Sequence, residues 1–202
     1  MQLARGNTLI ELLVAMMVIF LGLFTAATLV YGNLALVRRD TDQVTAMNLA
    51  REGVELAKEM RDSNWLAGKD FDDGMFNPLN VTDYTATPYW FGNDAPSFQF
   101  TANALGEGDT VVLALTDVNT PNLFANQISQ PQLNGTPTPF LRMVTFHPIC
   151  GDEAHIANSG SDCNDIQPGT QKVGVRVESH VQWNARGKQY DTTVFTDLYD
   201  WR

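Results

Sequence analysis

The sequence lacks most of the features on which enzymatic and nucleic-acid-binding functions depend. Its 202 residues include 13 Lys and Arg against 23 Asp and Glu, and no cationic run is interleaved with aromatic side chains. This balance disfavours nonspecific nucleic-acid binding. The three histidines form no HExxH motif, and neither a GxSxG motif nor a glycine-rich phosphate loop is present. We therefore predict no catalytic residue, no cofactor, no nucleic-acid partner and no small-molecule substrate.

Charge is missing from one long stretch near the amino terminus. No charged residue occurs from Leu12 to Tyr31, and the first proline is Pro78. At about 1.5 Å per residue, a helix of this length crosses a hydrocarbon layer of about 30 Å. The sequence predicts a single membrane-spanning helix, in which Gly22 and Ala26 permit close approach of another helix.

One carboxylate, Glu11, stands at the head of this apolar stretch. An acid at the centre of a membrane helix costs about 2.5 to 3.5 kcal/mol, so Glu11 is expected to have a compensating partner. The alternative is that its side chain reaches the lipid headgroups, because it lies near the start of the helix.

The stretch Gly6-Asn7-Thr8-Leu9-Ile10-Glu11-Leu12-Leu13-Val14 resembles the processing and methylation signal of type IV pilins and of the pseudopilins of type II secretion. The resemblance implies that a prepilin peptidase cuts between Gly6 and Asn7, that Asn7 becomes an N-methylated amino terminus, and that Glu11 supports assembly. Asn7 departs from the family, which usually has Phe or Met there. The implied partners are other pilin subunits, the peptidase and the membrane. The α-amino group of Asn7 on a neighbouring subunit would then compensate Glu11.

Ordinary secretion is an alternative, with Thr25-Ala26-Ala27 as the cleavage site of a signal peptide. Against it, only Arg5 precedes the apolar stretch, Glu11 interrupts it, and it continues beyond Ala27. Arg38 and Arg39 follow the span, so the orientation is inferred from the leader motif and not from the distribution of cations.

The apolar stretch is predicted to continue as one helix from Thr8 to Asp62, with a weak point at Gly32-Asn33 and a soft position at Gly53. Val37, Val44, Met47, Val54 and Ala57 recur at helical spacing and predict the face that a following domain covers. Gly68 is predicted to stop the helix, and residues 69–78 to form a loop.

The rest of the chain changes to strand periodicity. Val173, Val175, Val177, Val181 and Trp183 alternate with polar residues, and a turn containing Gly187 leads into a last strand, which predicts an antiparallel hairpin. The predicted strands are Val81–Thr85, Ser97–Thr101, Thr110–Thr116, Phe140–Phe146, Lys172–Trp183 and Gln189–Leu198. Between Asn119 and Pro139, prolines and polar residues predict a long irregular connection.

The expected fold is α+β and pilin-like, with a long N-terminal helix packed on an antiparallel β-sheet head. The predicted organisation comprises a leader (1–6), a transmembrane and assembly helix (7–37), an amphipathic continuation (38–62) and a β-rich head (63–202). The aromatic residues, which include Trp65, Trp90, Trp183 and Trp201, are expected in the core or against the helix, with a sugar or base platform as the alternative.

The only two cysteines, Cys150 and Cys163, predict a disulfide in a chain that leaves the cytoplasm, and a metal-binding pair is the lesser alternative. Asp70, Asp72 and Asp73 do not complete an EF-hand, and they are expected to be solvated turn residues, with another kind of calcium site as the alternative. No metal ligands are predicted. Asn80 and Asn134 begin sequons for glycosylation.

The resemblance, together with these features, implies a structural, non-enzymatic subunit, minor in its filament, of a type IV pilus or a related fimbrial assembly. Its precursor would be a single-pass protein of the cytoplasmic membrane, and its assembled form an extracellular or periplasmic filament. The alternatives are a type II secretion pseudopilin and a membrane-tethered extracytoplasmic binding domain that never assembles.

Overall fold

A computed structural model describes residues 7–76, 85–89, 97–100, 105, 110–116, 121–126, 135–151, 155–157, 163–166 and 168–200. The chain divides into two compact units, residues 1–43 and residues 44–202. The first unit contains the apolar part of the N-terminal helix. The second contains the remainder of that helix and every described strand.

Helix α1 runs from Asn7 to Leu66. It passes through Gly32 and Asn33 without a break, although the sequence predicted a weak point there. The helix extends to Leu66, four residues beyond the predicted Asp62, and the predicted stop signal Gly68 follows with a φ of 69°, the left-handed conformation that glycine adopts most readily. The amide of Gly68 donates to the Trp65 carbonyl and that of Lys69 donates to the Asn64 carbonyl. These two bonds form a Schellman motif, which satisfies carbonyls at the end of the helix.

The described strands form one eight-stranded sheet in which every pairing is antiparallel. The strands are β1 (Thr85–Tyr89), β2 (Ser97–Phe100), β3 (Val111–Thr116), β4 (Pro121–Asn126), β5 (Gly135–Cys150), β6 (His155–Ile156), β7 (Lys172–Ala185) and β8 (Lys188–Tyr199), and a short helix α2 (Cys163–Ile166) lies between β6 and β7.

Strand β5 is the centre of the sheet. Strand β7 pairs with residues 140–150 of β5 along one edge, and the other edge pairs with β3, β1 and β6. Strands β8, β2 and β4 lie outside β7, β1 and β3 respectively. The predicted α+β arrangement of a long N-terminal helix on an antiparallel sheet is therefore confirmed.

The second half of α1 packs on this sheet through small and apolar side chains. Ala46, Leu49 and Ala50 pack with Phe140 and Trp183, among others, in one core cluster. A second core cluster contains Leu56, Ala57 and Trp65 from the last part of α1, together with residues of the sheet. The predicted helix face was partly wrong, because Val54 and Ala57 are buried but Val44 is 60% exposed.

Helix α1 comes close to the sheet at Gly53. A Cβ atom at this position would lie 2.5 Å from Ser179 Oγ and 3.1 Å from Val144 Cγ2. These two residues are cross-strand partners on β7 and β5. The lack of a side chain at Gly53 therefore lets the helix contact the sheet at this position.

The C-terminal hairpin is confirmed. Ala185 pairs with Lys188 across a turn formed by Arg186 and Gly187, whose φ angles are 54° and 74°. Positive φ at both central residues is the signature of a type I′ turn, whose twist matches that of the flanking strands.

The predicted irregular connection from Asn119 to Pro139 was wrong. Strand β4 begins at Pro121 and β5 begins at Gly135. Proline is accepted at the first residue of a strand and on an open edge. Pro121 takes the first position of β4. Pro137 and Pro139 lie in residues 135–139, which precede the part of β5 that pairs with β7, so their lack of an N–H group costs no hydrogen bond to β7.

Several predictions lie outside the residues that the structure describes. They concern the leader with Gly6, the sequons at Asn80 and Asn134, and the tryptophans Trp90 and Trp201. The predicted strand from Val81 is described only at its last residue, Thr85, where β1 begins.

Candidate functional site

The candidate site is the apolar segment of α1, residues 9–37. Its large hydrophobic side chains are exposed, from 49% at Met16 to 74% at Tyr31. The most apolar stretch of the helix has a mean hydropathy of 2.5, and none of it is buried. In length and composition the helix is thus able to cross a membrane, and it provides a single-pass anchor.

The threonine hydroxyl groups of the apolar segment are hydrogen-bonded within the helix. Thr25 Oγ1 donates to the carbonyl oxygens of Leu21 and Gly22 at 3.0 and 2.9 Å, and Thr28 Oγ1 donates to that of Thr25 at 2.8 Å. A polar group inside hydrocarbon is costly unless it is bonded, and back-bonding to the helix supplies that bond. These threonines are therefore compatible with a lipid environment.

Glu11 shares a helix face with three small residues and with the larger Val18 and Leu29. At 3.6 residues per turn, Ala15, Gly22 and Ala26 fall within about 60° of Glu11 around the helix axis. Within the described part of the chain, nothing lies within 4 Å of a Cβ atom built at Gly22. The small residues permit a second helix to approach this face.

The predicted processing residues stand immediately before this segment. Asn7 is the first residue of α1, while Gly6 lies outside the described residues. Glu11 is four positions beyond Asn7, which is about 6 Å along the axis of a helix. The expected amino terminus and the acid therefore lie about one helical turn apart.

The second unit contains a buried ion pair that was not predicted from the sequence. Arg142 on β5 is 1% exposed, and its Nη1 donates to Glu52 Oε2 at 2.9 Å and to the Leu49 carbonyl at 3.3 Å. Burial lowers the pKa of Arg142, and the Glu52 carboxylate opposes that shift. The pair attaches α1 to the middle strand of the sheet. Strand periodicity indicates that Arg142 is buried, since it shares its face with Phe140, Val144 and Phe146, but it does not identify Glu52 as the partner.

The side of the sheet that faces away from the α1 packing carries paired charges. Arg176 on β7 donates from Nε and Nη2 to the two carboxylate oxygens of Asp197 on β8, at 2.7 and 2.8 Å. The hydrogen bond to Asp197 raises the pKa of Arg176. The guanidinium also lies 4.8 Å from the centre of the Phe195 ring. This arrangement holds the β7–β8 hairpin together across its two strands.

The described histidine side chains lie on this same side. Nε2 of His147 lies 3.7 Å from Glu178 Oε2, and Nε2 of His180 lies 3.8 Å from Asp191 Oδ2. The side chain of His155 is outside the described residues. Within the described ranges, no group of three or more His, Cys, Asp or Glu residues is arranged to hold a metal ion.

The structure confirms the disulfide between Cys150 and Cys163, which joins the end of β5 to α2. Both cysteines are 1% exposed.

In the loop after α1, Lys69 pairs with Asp73 at 2.9 Å, and Lys172 of β7 forms an ion pair with Asp72. Two of the three loop acids therefore have lysine partners.

Comparison with family models, with curated proteins and with solved structures gives no match for this chain. The fold itself defines the class: an α+β protein with a membrane-anchoring N-terminal helix whose later part packs on an antiparallel sheet. This arrangement is compatible with a pilin-like protein.

Proposed function

We propose that this protein is a minor structural subunit of a type IV pilus or a related filament, matured by cleavage between Gly6 and Asn7. The observation that carries the proposal is the position of Glu11. The acid is part of the pilin-like motif at the start of one unbroken helix, on the face of Ala15, Gly22 and Ala26, in a segment whose apolar side chains are exposed. Such a segment requires lipid or other helices to cover it.

In the proposed assembly, the apolar segments of many subunits pack side by side and the heads face outward. Asn7 supplies an α-amino group after cleavage, and Glu11 supplies a carboxylate about 6 Å further along the axis. A neighbouring helix displaced by about one turn brings its own acid level with that amine. Opposite charges attract strongly where water is excluded, so the pair sets the axial register of packing that is otherwise apolar.

The decisive variant is Glu11→Leu, compared with Glu11→Gln, in cells that produce the filament. We expect both variants to be processed and inserted in the membrane but lost from the sheared surface fraction. The matched control is Glu59→Gln, because Glu59 is an exposed acid on the same helix. Assembly of Glu11→Leu at the level of the unaltered protein would refute the proposal and favour a solitary tethered domain.

Maturation is tested separately by the mass and N-terminal sequence of the protein isolated from cells. A methylated Asn7 at the amino terminus supports the proposal, whereas a terminus at Thr28 identifies an ordinary secreted protein. A mature protein that remains in periplasmic filaments and never reaches the surface identifies the secretion pseudopilin, the alternative within the same class.

A further inference from the structure

The apolar segment is longer than the hydrocarbon layer that it would cross. Glu11 and Arg38 are the charged residues that border it, and α1 is continuous between them. The 27 residues from one to the other correspond to about 40 Å along the axis. The hydrocarbon core is about 30 Å thick, and the bilayer with its headgroups about 40 to 45 Å. A common tilt of about 20° shortens the span only to about 38 Å.

This length places both charged ends beyond the hydrocarbon. When the helix is centred in the bilayer, Glu11 and Arg38 each lie about 20 Å from the midplane, at the depth of the headgroups. Arg38 is followed directly by Arg39, and both side chains are exposed. A guanidinium has five donors in a planar fork that fits phosphate oxygens, so an arginine can keep a partner within the chain and also bind a lipid.

We propose that Arg38 and Arg39 bind the phosphates of anionic phospholipids at the carboxyl end of the span, and so hold Glu11 in the headgroup layer of the opposite leaflet. This inference rests on the membrane span alone and not on the proposed filament. Under it, the unassembled subunit keeps the Glu11 carboxylate hydrated. The Glu11 carboxylate loses its hydration only when the helix packs against other helices.

The nearby acids limit the strength of this lipid site. Asp40 and Asp42 follow the arginines on the same helix and repel anionic headgroups. A cation near a membrane surface strengthens its association with anionic lipid by about fivefold for each Lys or Arg. Two arginines alone would give about 25-fold; if the two acids, which lie further along the helix from the span, cancel about half of that free energy, the preference for anionic over zwitterionic lipid is roughly fivefold.

The first test measures that preference in the full chain reconstituted into phosphatidylcholine vesicles. Spin-labelled phosphatidylglycerol and spin-labelled phosphatidylcholine are compared for the fraction of lipid held at the protein surface. We expect the phosphatidylglycerol preference to disappear in Arg38→Gln/Arg39→Gln and to persist in Arg51→Gln, an exposed arginine further along the helix. A double variant that keeps the preference, or an unaltered protein that shows none, overturns the proposal.

Free phosphate is distinguished from lipid phosphate in the same vesicles. Inorganic phosphate and chloride are added at equal ionic strength, and we expect equal effects on the lipid preference. A selective loss of the preference with inorganic phosphate would show that the arginines form a general anion site, which overturns the assignment to lipid.

The second test measures depth at the other end. A nitroxide attached to Leu12→Cys, with the native cysteines joined in their disulfide, reports immersion through its relative accessibility to oxygen and to a water-soluble nickel complex. We expect headgroup depth at this position, and bilayer-centre depth for the same label at Phe24→Cys. A hydrocarbon depth at Leu12→Cys would show that the lone subunit buries Glu11, and would overturn the proposal.

Discussion

Replacement of Gly53 by alanine tests whether the close approach of α1 to the sheet is required. The added Cβ would lie 2.5 Å from Ser179 Oγ, 3.1 Å from Val144 Cγ2 and 3.2 Å from Ser179 Cβ. The first distance is too short for any contact, and the other two require a movement of the sheet or of the helix. Overpacking of this kind costs about 1–3 kcal/mol.

Helix propensity opposes that steric cost. Alanine is better than glycine in a helix interior by about 1 kcal/mol. We therefore expect Gly53→Ala to lower the free energy of unfolding by a net amount of about 0–2 kcal/mol. For a domain of this size the corresponding fall in Tm is up to about 8 °C.

A second substitution, Ser179→Ala, identifies the contact responsible. Ser179 is fully buried, and its hydroxyl has no hydrogen-bond partner among the described residues. Its removal alone should raise stability by about 1 kcal/mol, because a buried unsatisfied hydroxyl is unfavourable. In the double variant the 2.5 Å contact no longer exists, so the cost of Gly53→Ala should fall by about 1 kcal/mol.

The assay is thermal unfolding of the full chain in detergent, followed by near-ultraviolet circular dichroism, which reports the buried aromatic residues of the head. All four proteins of the cycle are compared under one condition. If Gly53→Ala unfolds at a higher temperature than the unaltered protein, helix propensity outweighs packing and the inferred close approach is wrong. If the stability changes of the two substitutions are strictly additive, the stability lost in Gly53→Ala does not come from the contact with Ser179.

Three further expectations concern the head and use the same unfolding assay. Glu52→Gln should cost about 1–3 kcal/mol, because it leaves the buried guanidinium of Arg142 without its carboxylate; Arg142→Met should cost less, since Glu52 is 31% exposed and can be hydrated. A larger loss of stability in Arg142→Met than in Glu52→Gln would contradict the inference that the burial of Arg142 sets the cost. Replacement of Cys150 and Cys163 by serine should cost about 3 kcal/mol from loop closure, and an unchanged Tm would contradict it. Gly68→Ala should cost about 1 kcal/mol, because φ is positive there, and no loss would show that the helix end relaxes.

The features that the sequence predicted correctly have local causes. The end of α1 at Gly68 and the turn at Gly187 depend on the conformation of a few consecutive residues, and glycine indicates both. The alternation along β7 likewise needs only the two-residue period of a strand. The membrane-spanning capacity of the apolar segment was evident from composition, because an uncharged run of this length is typical of a helix that crosses lipid.

The features that were missed depend on partners distant in the sequence. The buried helix face follows Ala46, Ala50 and Gly53, since the sheet accepts small side chains there, whereas hydrophobicity alone favoured Val44. The ion pair of Arg142 joins residues 90 positions apart. Strand β4 was missed because proline was taken as a loop signal, and a proline at a strand start is acceptable only once the pairing is known.

Small residues recur along both parts of α1, and their surroundings differ. In the second unit, Ala46, Ala50, Gly53 and Ala57 follow spacings of four, three and four, and the sheet buries all of them. In the apolar segment, Ala15, Gly22 and Ala26 share the face of Glu11, and within the described chain nothing lies within 4 Å of a Cβ atom built at Gly22. A small side chain on a helix surface is useful where another backbone comes close. The sheet explains the small residues of the second unit, and by the same reasoning those beside Glu11 are consistent with the proposed packing of a second helix.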